Sequence, residues 1–280
     1  MTTLAARVGP YLPARLTAAT ARALYPRFEP ELARLADMLP APGGRCGTAV
    51  DVGGWYGPWT HRLAARARRV VTLEPVPHLA RTLAAAAPPN VRVVRAAASD
   101  RPGAAPLWQP PHDARGERGV SSLVRREGLH APTPHPVPCV TLDELALHDV
   151  DFIKIDVDGA ELPVLRGAHT LLSRDRPALF VELETRIQPI APVVGHLHAR
   201  GYAGWVLPAD TWLPLTDFDL PAHQDSTAHI ASQGLLRRAL TPAGRRPRYV
   251  NSVLFLPDGR LPGQVRDHGR HATPHAHRTR

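Results

Sequence analysis

Ala49-Val50-Asp51-Val52-Gly53-Gly54-Trp55-Tyr56-Gly57 is the stretch whose reading decides the fold, and Glu74 completes it after a second apolar run. An apolar strand runs into a glycine turn, a helix comes next, and a second strand ends in an acid. Open α/β sheets bind nucleoside ligands at the carboxyl ends of their strands, where such a turn lies. Glycine lets the backbone turn sharply there and lets a ligand come close. An acid about twenty residues further on can accept both ribose hydroxyls.

The loop also narrows the ligand. Its spacing is D-x-G-G-x-x-G, not the G-x-G-x-x-G on which a dinucleotide rests its pyrophosphate. Asp51 stands two residues before the first glycine, where a carboxylate repels a pyrophosphate. It suits a ligand with a positive centre, such as the ammonium and sulfonium of S-adenosylmethionine. A nicotinamide or flavin dinucleotide and a purely structural turn are the competing readings.

Outward from this stretch, strands and helices alternate. Strands are expected at Thr48 to Val52, Val70 to Leu73, Val91 to Val94, Phe152 to Val157, Ala178 to Leu183, Tyr202 to Leu207 and Tyr249 to Leu256. Helices are expected from Tyr56 to Arg66, through Leu79, Leu83 and Ala86, from Gly159 to Leu172 and from Val193 to Arg200. That alternation implies an α/β fold with a largely parallel sheet. Residues 101 to 136 and 208 to 247 read as long loops of the kind that form lids or substrate loops. The second holds Trp212, His223, Asp225 and His229, and the two histidines are candidates for a loop-borne base. Thr141-Leu142-Asp143-Glu144 carries a capping-box-like pattern. Leu32, Leu35, Ala36 and Leu39 recur at helical spacing, as a short amphipathic helix over a sheet edge or the ligand cleft would require. The chain thus divides into a helical extension over 1–45, an α/β domain over 46–258 and a disordered His/Arg-rich tail over 259–280.

Composition excludes several classes. The 280 residues suit one large α/β domain able to bury a substantial core. No apolar run is long enough to span a bilayer. Pro10, Pro13 and scattered arginines interrupt any basic-then-apolar leader. Cys46 and Cys139, the two cysteines, form no close motif, so a reducing cytoplasm is the expected setting. The net charge of +9 and pI of about 10.6 invite a nucleic-acid reading. Against it, Lys154 is the one lysine among 34 basic residues, and the arginines are spread rather than striped, with few aromatics between them for base stacking. Neither a nucleic acid nor a membrane is expected as a partner. The oligomeric state is not legible.

A second motif is Asp151-Phe152-Ile153-Lys154-Ile155-Asp156-Val157-Asp158-Gly159-Ala160-Glu161-Leu162. With it come Glu74-Pro75, Ala97-Ala98-Ser99-Asp100, Ser121-Ser122-Leu123, Thr141-Leu142-Asp143-Glu144-Leu145, Pro177 through Glu182, and Val250-Asn251-Ser252-Val253-Leu254-Phe255. In this order the set resembles the FkbM family of S-adenosylmethionine-dependent methyltransferases, over about residues 48 to 256. One departure is visible: Trp55 stands where the family usually has asparagine in the glycine loop. The resemblance implies a class I methyltransferase (Rossmann-like) fold, a seven-stranded, mostly parallel sheet with its last strand antiparallel and helices on both faces. It also implies methylation of hydroxyl oxygens on natural products, sugars or glycans.

The resemblance and the residues together suggest individual roles. Asp51 is read as an acceptor toward the methionine ammonium, Gly53, Gly54 and Gly57 as the turn that admits the cofactor, and Glu74 as the ribose acceptor. Ala97 and Ala98 leave room beside the adenine, though simple core packing reads as well. Asp156, at the end of its strand, is the first choice for orienting or deprotonating the acceptor, with helix capping as the alternative. Lys154 lies on the same face of that strand, and a buried lysine needs a partner. Glu182 or Glu184 on the neighbouring strand could supply it, and a Lys154–Glu182 pair shaping the pocket floor is the expectation. No resident metal is expected. Asp156-Val157-Asp158 also matches the D-x-D of metal-dependent glycosyltransferases, the alternative function, and a metal-assisted methyltransferase using the same two acids is a further reading.

Overall fold

In a computed structural model of the chain, the described residues are 29–39, 45–109, 121–125, 134–231, 248–257 and 259–264, with isolated positions between 13 and 27. The strands are β1 (Cys46–Val52), β2 (Ala67–Leu73), β3 (Val91–Val94), β4 (Ala97–Ala98), β5 (Gly103–Leu107), β6 (His135–Val140), β7 (Val150–Ile155), β8 (Ala178–Glu182), β9 (Tyr202–Val206), β10 (Leu213–Pro214) and β11 (Ser252–Pro257). The helices are α1 (Leu35–Met38), α2 (Pro58–Ala64), α3 (Pro77–Ala86), α4 (Glu161–Arg166), α5 (His169–Asp175), α6 (Ala191–His198) and α7 (Leu220–Ala231).

The main sheet runs β10-β9-β11-β8-β7-β1-β2-β3. Neighbours from β8 through β7, β1 and β2 to β3 are parallel, and β11 is antiparallel to both β8 and β9. The seven expected strands are all present, the last reversed, and β10 adds a two-residue edge. β1 and β11 are buried along their whole length, and β7 and β8 nearly so. That is how strands covered on both faces read, as continuous apolar runs.

Three expectations need correction. Residues 101 to 136 are not one loop, because β5 and β6 pair antiparallel and join β4 in a second, three-stranded sheet. Residues 208 to 247 hold β10 and the twelve-residue α7. The helix expected over Gly159 to Leu172 is two, α4 and α5. They meet near Gly167, where a Cβ would lie 2.0 Å from the Ser99 carbonyl oxygen. Thr141 and Glu144 do form a capping box: the Glu144 amide donates to the Thr141 hydroxyl at 3.1 Å and the Thr141 amide to the Glu144 carboxylate at 3.0 Å.

The two faces of the sheet differ. Val50, Val52, Ile153, Ile155, Leu179 and Val181 enter one apolar cluster. Their alternates Ala49, Phe152, Ala178, Phe180 and Leu254 enter another, with Trp59 and Leu63 of α2. Leu32, Leu35, Met38 and Leu39 of the N-terminal segment close that second cluster, each burial worth about 1.5–3 kcal/mol. The segment therefore covers a sheet face, not an edge. Side chains two residues apart on a strand share a face. Toward the strand ends, the face of Ala49, Phe152 and Phe180 accordingly carries Asp51, Lys154, Asp156 and Glu182.

Candidate active site

Register brings the charged residues together. Asp51 lies opposite Lys154, and Lys154 opposite Phe180. One pleat further on, Glu182 faces Ser252 of β11. Lys154 Nζ, in a residue 4% exposed, donates to Asp156 Oδ2 at 3.0 Å and to the Gly53 carbonyl at 3.1 Å. It also lies 3.8 Å from Asp51 Oδ1. The expected Lys154–Glu182 pair is not what the structure shows. Glu182 sits a full pleat beyond the strand position facing Lys154, and Asp156 is the nearer acid. Glu182 instead hydrogen-bonds Asp156 and accepts from Asn251 Nδ2.

Charge balance explains the protonation states. Burial alone would lower the Lys154 ammonium, but Asp156, Asp51 and Glu29 outweigh it and raise its pKa. Burial likewise favours neutral Asp156, but Lys154 and the hydrogen bond from Glu182 hold it below its usual 3.8. Glu182, half-buried beside the Asp156 charge, is pushed well above 4.5 by desolvation and by that charge. Of this pair, Glu182 is the acid that favours the proton, and it hydrogen-bonds Asp156. The Asp156 side chain is 27% exposed, and Glu182 beside it is half-buried, so the cluster opens at these two acids.

On the other side lies the glycine loop. Gly53 has φ +86°, and a Cβ on it would lie 2.0 Å from the Asp156 carbonyl oxygen. Cβ atoms on Gly54 and Gly57 would meet Thr72 at 2.3 Å and Leu83 at 2.6 Å. These glycines are demanded by the protein's own contacts, which bring the tips of β1 and β7 together. Trp55 adopts the left-handed region at φ +48°, and its amide donates to Glu74 Oε2 at 2.8 Å. Asparagine tolerates that region far better than tryptophan, which gives the family's usual residue a backbone reason. The Val76 amide donates to Glu74 Oε1, also at 2.8 Å. Burial raises Glu74 to about 7 against these bonds.

The cluster can accommodate a cationic nucleoside ligand. Asp51 Oδ2 accepts the Thr60 hydroxyl at 2.6 Å, while Oδ1 is buried without a hydrogen-bond donor. Burial raises its pKa, with Lys154 opposing. An orphaned buried oxygen of this kind is suited to a positive group. Each Glu74 oxygen accepts one backbone amide, and its second lone pair is enough to accept a hydroxyl as well. Ala97 and Ala98 are buried, with their methyls in two apolar clusters.

The Asp156-Val157-Asp158 turn is braced from elsewhere. Asp158 has φ +56°. The Ser122 hydroxyl donates to its carbonyl at 2.7 Å and accepts from the Val124 amide at 2.9 Å. Glu161, raised to about 7 by burial, accepts the Gly159 amide at 3.1 Å. Among the described residues no group of three or more His, Cys, Asp or Glu side chains is arranged to hold a metal ion. The expected loop histidines lie on α7. His223 faces the Arg248 carbonyl at 2.8 Å, and His229 is exposed.

Sequence reasoning missed several residues of this region: Thr60, Asn251, Tyr25 and Glu29. Glu29 accepts the Trp59 indole N–H at 2.6 Å and is raised to about 8 by burial, with Lys154 opposing. Asn251 lies within the terminal-strand motif, but its bonds to Glu182 and Glu184 required the register of β11. Nothing in the sequence near Tyr25 marks it.

The Methyltransferase FkbM domain matches residues 46–206, more than half of the chain. The chain belongs to this family. No match is found among curated proteins. Among solved structures, the FkbM-family chain resembles a methyltransferase FkbM from Methylobacillus flagellatus KT at 14% identity and a TM-score of 0.45, covering 79% of this chain and 47% of that one. It thus spans about half the length of that protein. A precorrin-6y C5,15-methyltransferase from Geobacter metallireducens GS-15 is similar at 13% identity and a TM-score of 0.39, covering 65% and 81%. An rRNA methylase from Streptococcus thermophilus is similar at 9% identity and 0.41, covering 82% and 95%. Family membership implies S-adenosylmethionine as the methyl donor and does not favour the glycosyltransferase alternative. No described helix is long and apolar enough to cross a membrane.

Proposed function

We propose that this FkbM-family chain methylates a hydroxyl oxygen of a small natural product, sugar or glycan. The observation that carries the reading is the partly exposed Asp156 carboxylate, hydrogen-bonded by the buried Lys154 and by Glu182. S-adenosylmethionine supplies a methyl carbon already activated by its sulfonium. The protein's part is then chiefly alignment, which in ideal cases lowers a barrier by about 7–11 kcal/mol.

Asp51 and Glu74 hold the donor, Asp51 through Oδ1 and Glu74 through its spare lone pairs, with Gly53, Gly54 and Gly57 shaping the turn and Ala97 and Ala98 leaving the adenine side uncrowded. Asp156 orients the acceptor. Lys154 keeps it ionised, so it is a better hydrogen-bond acceptor than base. It would take the hydroxyl proton, made acidic as the oxygen–carbon bond forms and the sulfur–carbon bond breaks, with S-adenosylhomocysteine as the leaving group. Glu182 keeps the carboxylate aimed.

Calorimetry with S-adenosylmethionine and S-adenosylhomocysteine tests the donor site. Binding should be measurable for the intact chain and weakened roughly tenfold or more, about 1.4 kcal/mol, in Asp51→Asn. No binding by the intact chain overturns the reading. A screen of sugars, phenols and aliphatic alcohols, with S-adenosylhomocysteine release as the signal, then identifies the acceptor class.

A further inference from the structure

The face that carries Asp51, Lys154, Asp156 and Glu182 is covered by a segment outside the matched residues 46–206. That segment is tied down repeatedly. Glu31 is buried and pairs with Arg248. Trp212 Nε1 donates to Asp37 at 3.1 Å, and the Gly263 amide donates to the Asp37 carbonyl at 2.7 Å. Glu29 accepts from Trp59 at the opening of α2. Just before this anchored stretch, the Tyr25 ring packs on Trp55, centroids 5.6 Å apart, and Trp55 packs edge-on against Tyr56 at 4.8 Å. Tyr25 and Trp55 are both half-buried, so the aromatic pair has an open side.

Trp55 belongs to the glycine loop, and its strained backbone is fixed by Glu74. Tyr25 also packs against the apolar cluster of Ala49, Phe152 and Phe180, on the face that carries Lys154, Asp156 and Glu182. Its phenol is raised well above 10, by burial first and then by Glu29, Asp156, Glu182 and Asp51. The ring thus lies on Trp55 of the glycine loop and on the sheet face that bears the acids. A half-buried, flat, amphipathic ring held there by an anchored strap is a contact surface for a small molecule.

We propose that Tyr25, delivered from outside the methyltransferase domain, walls the acceptor side of the methyl-transfer site and positions the acceptor against Asp156. This rests on the methyl-transfer reading above, and it makes the N-terminal segment part of the substrate site. The domain matched by the family would then be incomplete as an enzyme without it.

The test needs no known acceptor. Cys46 and Cys139 are both buried, so a Tyr25→Cys chain carries one half-exposed thiol. It is labelled with a small thiol reagent, with and without S-adenosylhomocysteine at about a hundredfold excess over Kd. A cysteine on the acceptor side labels at a rate unchanged within about twofold, and the labelled chain still binds S-adenosylhomocysteine. A cysteine on the donor side is protected about a hundredfold at that excess. Such protection, or no labelling of the folded chain, overturns the proposal. Should Tyr25→Cys fail to fold, hydroxyl-radical footprinting of Tyr25 in the unaltered chain gives the same contrast. Absence of S-adenosylhomocysteine binding by the unaltered chain is a different result, and it removes the methyl-transfer reading itself.

Discussion

Glu74 and Asp156 follow β2 and β7, the two strands that flank β1, yet their charges are held in opposite ways. Glu74 is held by two backbone amides, those of Trp55 and Val76, and burial still lifts it to about 7. Asp156 is held by the chain's one lysine and by a neighbouring acid that keeps the proton, and it is driven below 3.8. Backbone dipoles can hold a carboxylate that is neutral part of the time. A carboxylate that must stay ionised in a closed cluster needs a full positive charge. The first site is rigid and local. The second depends on a balance among distant residues, and it is the more fragile.

The largest effect should come from removing that charge. Lys154→Met leaves Asp51 and Asp156 without their cation and should destabilise the fold by about 3–5 kcal/mol in urea unfolding. A loss under about 1 kcal/mol would mean that the acids can neutralise or hydrate themselves, and the contrast with Glu74 would collapse.

Next comes pH. Glu29 is raised from 4.5 to about 8, and Glu74 and Glu161 from 4.5 to about 7. An acid raised on folding contributes stability that is full below 4.5 and lost as pH rises through its folded value. The ligand-free chain should therefore be less stable at pH 8 than at pH 5. Glu29→Gln should flatten that slope by up to a few kcal/mol across the window, at about 1.4 kcal/mol per unit. Thermal melts at both pH values check this, and an unaltered slope would show that Glu29 is not the buried acid of the strap.

A smaller effect is expected at Glu182. It is protonated, so Glu182→Gln keeps a donor toward Asp156 and should change stability by less than about 1 kcal/mol. The Lys154–Glu182 ion pair expected from the sequence would instead make this substitution costly, so unfolding measurements on the variant separate the two arrangements.

The smallest net change belongs to Trp55→Asn. Asparagine relieves about 1–2 kcal/mol of left-handed strain but gives up ring contacts worth about 0.5–1.5 kcal/mol. A melting temperature within a few degrees of the parent is expected. A collapse would show that the ring, and not the backbone turn, organises the glycine loop.

The sequence by itself determined the glycine-loop half of the cluster. Asp51, Gly53, Gly57 and Glu74 fall within one strand–turn–helix–strand unit, and local spacing fixes how such a unit folds. Strand alternation likewise placed Lys154 and Asp156 on one face. Only the tertiary structure decided the rest. Which acid Lys154 meets depends on the register between β7 and β8, which sets Phe180, not Glu182, opposite it. Asn251 reaches Glu182 from the position just before β11, and Tyr25 reaches the loop from a segment that, among the described residues, pairs with no strand. The second sheet of β4, β5 and β6 was hidden because Pro106, Pro136 and Pro138 broke the apolar alternation by which strands are recognised. Local motifs encode backbone shape, and partners far apart in the chain are chosen only when the sheet aligns them.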